Sequence, residues 1–237
     1  MTLDVQFLPR STSTKLPDTA VVIDVLRMTT TSSLLFSKGL EELFVVAEIE
    51  NARGLASRTG ALLLGERGGV KVEEFDGGNS PLEYTQSLGG RKAILCTSNG
   101  SKAVETTGEV EHVFLGAIVN AKAVAERVLE VATENIALIC AGTGGQVSLD
   151  DVLGAACIAR EMLELDSRLN LTDACKVALG SLELNPDLLS GLHDAYHSTV
   201  LKHLGYEEDV AFAAKLNLLN TVPTRTSQYP TRFTPAQ

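Results

Sequence analysis

Ala20-Val21-Val22-Ile23-Asp24 is the stretch that decides how this chain is read: four apolar residues in a row, ended by a carboxylate. Three further stretches repeat the device. Ala61-Leu62-Leu63-Leu64 runs into Gly65-Glu66-Arg67-Gly68-Gly69, and Ala93-Ile94-Leu95 into Cys96-Thr97-Ser98-Asn99-Gly100. Ile136-Ala137-Leu138-Ile139 runs into Cys140-Ala141-Gly142-Thr143-Gly144-Gly145. Continuous apolar runs bounded by glycine predict strands buried on both faces of a parallel or mixed sheet. Open α/β sheets bind ligands beyond the carboxyl ends of their strands. Four polar clusters at four such ends predict one shared site, rich in main-chain N–H donors and carboxylates. Such a site suits an anion held together with a divalent cation.

Outward from these runs, strands are predicted at 2–8, 19–24, 42–47, 61–65, 92–96, 112–115 and 135–140. Helices fall at 29–38, 50–59, 100–107 and 120–132, with a polar loop from Pro9 to Pro17 and a Gly-rich connection leading to a short helix at Pro81. From Ser148 the pattern turns helical, over 148–164, 171–181, 186–203 and 207–219, before an extended tail over about 223–237. Strand–helix alternation followed by helices predicts an α/β fold: three layers, α/β/α, around a mixed, largely parallel sheet, with a helical C-terminal portion at about 148–220. No low-complexity linker divides the chain, so residues 1–237 are expected to form one domain.

With 237 residues, 44% hydrophobic and 21% charged, the chain has the makings of a soluble protein with a substantial core. A net charge of −10 argues against nucleic acid as partner. It leaves room for a small anionic phosphorylated substrate, because Arg27, Arg67 and a bound metal reverse the field locally. Cys96, Cys140, Cys157 and Cys175 lack CxxC spacing and read as reduced thiols. There is no basic-then-apolar leader, and no apolar run approaches the ~18 residues that cross a bilayer. The expectation is a cytoplasmic protein with no membrane partner.

Asp24 at a strand end is costly unless paired or ligating; the alternatives are a metal ligand and a helix cap or buried ion pair with Arg27. The Thr29–Ser33 hydroxyl run reads mostly as helix capping, with one of its hydroxyls still able to meet phosphate. Glu66 offers a hard oxygen for Mg²⁺, and Arg67 a bidentate fork for phosphate or sulfonate. Asn79-Ser80-Pro81 reads as a turn and helix start, and Thr97, Asn99, Gly100, Thr143 and Gly144 sit in turns that also suit an anion. Ser148-Leu149-Asp150-Asp151 matches a capping box with Asp in place of Glu, yet Asp151 is also a candidate metal or base residue. Glu207, Glu208 and Asp209 suit a helix first turn, and one of them is a candidate of the same kind. Cys140 stands where a nucleophile would be useful, although buried strand cysteines are usually inert. His193 and His197 are four apart on a predicted helix, a spacing that can bind zinc, although a solvated face is the simpler reading.

Several phosphate enzymes are excluded. There is no GxxxxGK[ST] loop. Asp24-Val25-Leu26 lacks the second Asp of aspartyl-phosphate phosphatases, and neither Cys96 nor Cys140 has an Arg six residues on, where Lys102 and Gln146 stand.

Taken together, these blocks resemble the 2-phosphosulfolactate phosphatase (ComB) family of coenzyme M biosynthesis. The resemblance rests on Val21–Thr31, Gly65–Gly69, Phe75–Pro81, Thr97–Ser101, Cys140–Gly144 with Ser148–Asp151, Leu204-Gly205-Tyr206 with Asp209, and Val222-Pro223. Met28, Gly77, Ser98 and Ser101 depart from the usual residues while the hydroxyls and charges are kept. The resemblance implies an Mg²⁺-dependent acid phosphatase, an α/β fold peculiar to the family, and a homodimer. With it, Asp24, Glu66, Asp151 and Asp209 are the expected metal ligands, and Asp24, Glu66, Cys140 and Asp151 the expected catalytic residues. Arg27, Arg67, Asn79, Ser80, Thr97, Asn99, Gly100, Thr143 and Gly144 are expected to bind substrate. The alternatives are a phosphatase of the same fold acting on another phosphorylated 2-hydroxy acid, and a sensor that binds an anion without turnover.

Overall fold

A computed structural model describes residues 1–10 and 16–236; the middle of the predicted 9–17 loop lies outside the described residues. The chain runs β1 (Thr2–Gln6), β2 (Thr19–Ile23), α1 (Met28–Ser37), β3 (Glu42–Val46), α2 (Ile49–Thr59), β4 (Leu62–Arg67), β5 (Val70–Lys71), β6 (Lys92–Cys96) and α3 (Gly100–Thr106). It continues with β7 (His112–Gly116), α4 (Ala121–Val131), β8 (Asn135–Cys140), α5 (Leu149–Leu165), β9 (Asn170–Leu171), α6 (Asp173–Leu184), α7 (Leu188–His193), α8 (Tyr196–His203) and α9 (Glu207–Ala213). It ends in a hairpin of β10 (Pro223–Gln228) and β11 (Thr231–Pro235).

The α/β layering expected from the sequence is present. Alternate residues of β2 enter different cores. Val21 and Ile23 pack with α4, α5 and α6, whereas Ala20 and Val22 pack with α1 and α3. A strand buried on both faces has no polar side to offer, hence the uninterrupted apolar run. The remaining helix of the first half, α2, covers Phe44, Ile94 and Cys96.

The extended tail expected at 223–237 is instead the centre of the sheet. Strand order is β5-β4-β6-β3-β11-β10-β7-β2-β8-β1-β9. β4, β6 and β3 form one parallel block; β7, β2, β8, β1 and β9 form another. The terminal hairpin joins them, antiparallel to β3 on one side and to β7 on the other. Its Thr and Arg residues alternate, and the two strands flank a Tyr-Pro turn, a signal that composition alone does not rank above a loop. One core cluster draws on strands of both blocks together with α1 and α3, so the sheet wraps around these two helices. Phe233 in β11 is fully buried in that cluster, opposite Leu43 of β3. Phe233→Ala is expected to cost about 3–5 kcal/mol in urea unfolding; a loss below about 1 kcal/mol would show that the hairpin does not hold the blocks together.

Two helix boundaries also differ from the pattern. The predicted 186–203 helix is two: extended, buried Ala195 separates α7 from α8. The predicted 207–219 helix ends at Ala213, and Asn217 adopts a positive φ of 56° while its side chain joins Glu161 to the start of α4.

Candidate active site

The four polar clusters meet in one cavity of about 260 Å³. Asp24 enters from the end of β2, Glu66 from β4, Ser98 and Asn99 from beyond β6, and Thr143 and Gly144 from beyond β8. Arg27 and Asn79 also line it, and α8 adds His197 and Val200. A larger cavity, about 520 Å³, lies between α2, α3 and the terminal hairpin. It holds none of the carboxylates at strand ends, and its Arg225 guanidinium is given to Thr107, Gly108 and Val110. The smaller cavity is where the chemistry converges.

Local packing places Asp24. Its Oδ1 accepts from the Met28 amide at 3.2 Å, and the Gly100 amide donates to the same carboxylate. A Cβ at position 100 would stand 2.4 Å from Asp24 Oδ2 and 2.6 Å from the Met28 sulfur, so only glycine lets α3 come this close. Burial pushes the Asp24 pKa up to about 7, and repulsion from Asp150 and Glu66 adds to it.

Glu66 is held by main-chain donors that the sequence reading assigns to an anion. The amides of Ser98 (2.7 Å) and Gly69 (2.8 Å) both donate to its carboxylate. Gly65 makes room for this strand end, with a φ of 145° and a Cβ position only 2.0 Å from the Cys96 carbonyl oxygen. The Gly144 amide likewise goes to Asn99 Oδ1 at 3.3 Å. These turns orient protein side chains.

Other expected site residues have structural employment. Asp151 reaches across 126 positions to the Val25 amide at 2.9 Å, and to the Gly142 amide at 2.8 Å. It pins the ends of β2 and β8, and burial with Asp150 and Asp24 nearby holds its pKa well above the usual range. The capping box is not formed, because the Ser148 hydroxyl donates to the Asp150 carboxylate instead. Asp209 binds Arg27 at 2.7 Å and the Ser80 hydroxyl at 2.6 Å, which uses both of its oxygens. Arg67 turns away from the cavity to the carbonyls of Glu66 and Ala47 and to the Cys96 sulfur. Thr97 is paired with Ser101. The hydroxyls of Thr29, Thr30, Ser32 and Ser33 are buried and donate to carbonyls of the preceding turn, Thr29 Oγ1 also accepts from the Asp24 amide, and none of the four lines the cavity.

Cys140 is fully buried in the core against α5. Burial, with Asp151 and Asp150 adding, keeps its thiol pKa well above the ordinary value, the opposite of what a nucleophile needs. Cys140→Ser is expected to leave phosphate release within about threefold of the parent, at the modest stability cost of a buried hydroxyl. Complete loss of turnover in a folded variant would restore the thiol to the chemistry.

Among the described residues no three His, Cys, Asp or Glu side chains stand close enough to hold a metal by themselves. The cavity still suits a magnesium ion, which uses one or two carboxylates and takes its other ligands from water and phosphate. Asp24 and Glu66 repel one another there, and Asn79 Oδ1 is a buried acceptor with no hydrogen-bond partner. Two carboxylates and an unclaimed amide oxygen form a hard-oxygen set.

Residues 7–228 match the model of the 2-phosphosulpholactate phosphatase family. The chain belongs to that family. It is 40% identical over 227 residues to a probable 2-phosphosulfolactate phosphatase of Deinococcus radiodurans, covering 94% of this chain and 93% of the relative. A probable 2-phosphosulfolactate phosphatase of Carboxydothermus hydrogenoformans is 39% identical, with 94% and 92% covered. One from Thermus thermophilus is 36% identical, with 87% of each chain covered.

The sequence reading missed His197. Its i, i+4 spacing from His193 pointed to a common solvated face. The break at Ala195 leaves His193 exposed and brings His197 to the cavity wall.

Proposed function

We propose that this protein hydrolyses 2-phospho-3-sulfolactate to 3-sulfolactate and phosphate, with Mg²⁺ held by Asp24, Glu66 and the Asn79 amide oxygen. The observation that carries this reading is the convergence of those three oxygens in one cavity, in a chain 40% identical to a probable 2-phosphosulfolactate phosphatase. Bound there, Mg²⁺ supplies a Lewis acid for the phosphoryl oxygens. The Arg27 guanidinium gives two of its five donors to Asp209 and Gly69, which leaves others for a phosphoryl oxygen. Catalysis is then positioning and charge neutralisation around a loose transition state.

A third cavity of about 390 Å³ shares Asn99 and Gly144 with the 260 Å³ one. Lys102 is the one charged side chain on its wall among the described residues. A pocket with carboxylates on one side and a lysine on the other suits a substrate whose phosphate sits with a cation and whose second acidic group meets Lys102.

The test is phosphate release, with Mg²⁺ or with EDTA, from 2-phospho-3-sulfolactate, 2-phospholactate and glycerol phosphate. The expected order of kcat/KM follows the number of acidic groups, and EDTA abolishes release. Equal rates on all three would remove the sulfonate from the reading, and tight binding without release would make the protein a sensor.

A further inference from the structure

Hydrolysis of an alkyl phosphate leaves an alkoxide unless a proton arrives as the bond breaks, so an active site for such a substrate needs an acid at the leaving oxygen. Most polar side chains of the cavity are already engaged. Glu66 takes the amides of Gly69 and Ser98, and Asp24 that of Met28. Arg27 is committed to Asp209 and Gly69, Asn99 accepts from Gly144, and Thr143 meets Ser148. Three buried side-chain nitrogen or oxygen atoms among the described residues have no partner, and two of them belong to residues that line this cavity. One is Asn79 Oδ1, an acceptor suited to a cation. The other is Nδ1 of His197, a ring nitrogen. A buried polar atom left unpaired is costly, and a ligand bringing the missing partner removes that cost.

Resting on the phosphatase reading, we propose that His197 is a catalytic residue: its imidazole gives the proton to the oxygen that leaves phosphorus. Water oxygen forms the new bond to phosphorus. The bridging P–O bond breaks, its electron pair stays on the substrate oxygen, and that oxygen takes the His197 proton to become the free hydroxyl. The attacking water brings two protons; one stays on the released phosphate and the other returns to His197. No further reactant is needed. Three charged groups on three other segments set the field at the ring. Asp150 at the start of α5 and Glu66 in β4 favour the protonated form, and Arg27 just before α1 opposes it. Burial is the largest influence and keeps the imidazole pKa below its ordinary value, which places the working form on the acidic side. Asp150 is itself fixed by the Ser148 hydroxyl and the Leu26 amide, so its carboxylate is held in place.

The test compares His197→Gln with the parent on two kinds of leaving group in the Mg²⁺-loaded enzyme. On 2-phospho-3-sulfolactate, whose alkoxide is a poor leaving group, kcat is expected to fall about 10²–10⁴-fold with little change in KM. On 4-nitrophenyl phosphate, whose leaving group is stable as an anion, it is expected to fall less than about tenfold. Imidazole added to His197→Ala should restore part of the alkyl-phosphate rate, a readout that holds even where the aryl phosphate is a poor substrate. An equal fall on both substrates, an unchanged rate on the alkyl phosphate, or no rescue would each overturn the proposal while leaving the phosphatase reading standing. Failure of the parent to release phosphate from either substrate would overturn the phosphatase reading, and the proposal with it.

Discussion

Asp24→Asn is expected to reduce phosphate release at least a thousandfold while raising the melting temperature in EDTA. The two effects have one origin. The carboxylate of Asp24 is buried beside Asp150 and Glu66, so its folded-state pKa of about 7 lies above that of an unfolded aspartate. The native state therefore binds the proton more tightly than the unfolded chain. The stabilisation from that proton is complete below the unfolded value and is lost as pH rises through about 7. Asparagine keeps an acceptor for the Met28 amide and carries no charge to bury. The gain in melting temperature over the parent should thus grow from pH 5 to pH 8 and level off above. Residues that store repulsion for a ligand behave in this way: their neutral replacements stabilise the fold and lose the function. A variant as active as the parent would remove Asp24 from the site, and a pH-independent melting difference would remove the electrostatic account of it.

Asp209 is expected to show the reverse pattern. Its carboxylate and the Arg27 guanidinium are both almost fully buried, at 2% and 3% exposure, 2.7 Å apart. The guanidinium also donates to the Gly69 carbonyl at 2.6 Å and lies 4.3 Å over the Tyr206 ring. Removing one partner of such a pair strands the other charge in the interior. Asp209→Ala is expected to cost about 3–5 kcal/mol in urea unfolding. Replacing both residues by apolar ones of similar volume should recover much of that cost, which a double-mutant cycle reads directly. A loss below about 1 kcal/mol would leave Asp209 free for the cation role that its acidic neighbourhood suggests in the sequence.

Glu66 and Asp209 show where the sequence can be read and where it cannot. Both are acidic residues in turn-rich segments, and both are candidate ligands on spacing alone. The strand ends were legible because burial on both faces forces an uninterrupted apolar run, and such runs stop where the sheet stops. Asp24, Glu66, Asn99 and Thr143 follow from that rule, and they line the cavity. What a side chain meets across 100 or more positions is not written locally. Arg27 meets Asp209 over 182 positions and Asp151 meets Val25 over 126, and each contact gives an expected ligand a structural partner. Glycine-rich turns mislead for a related reason. The amides of Gly69, Ser98 and Gly144 point where an anion would want them, but protein carboxylate and amide oxygens occupy them first.

The terminal hairpin is a second kind of omission. The two parallel blocks run in opposite directions, and β10–β11 joins them through antiparallel pairings on both sides. Nothing in the Thr-, Arg- and Pro-containing tail announces a central position. His197 was hidden by its neighbour: only the break at buried Ala195 separates its direction from that of His193.

Binding of Mn²⁺, followed by electron paramagnetic resonance in the absence of substrate and displaced by Mg²⁺, reads most directly whether Asp24 and Glu66 act together. Saturable binding of one ion by the parent chain, lost in both Asp24→Asn and Glu66→Gln and weakened in Asn79→Ala, is the predicted result. Binding that survives in either carboxylate variant with the parent's affinity would contradict it.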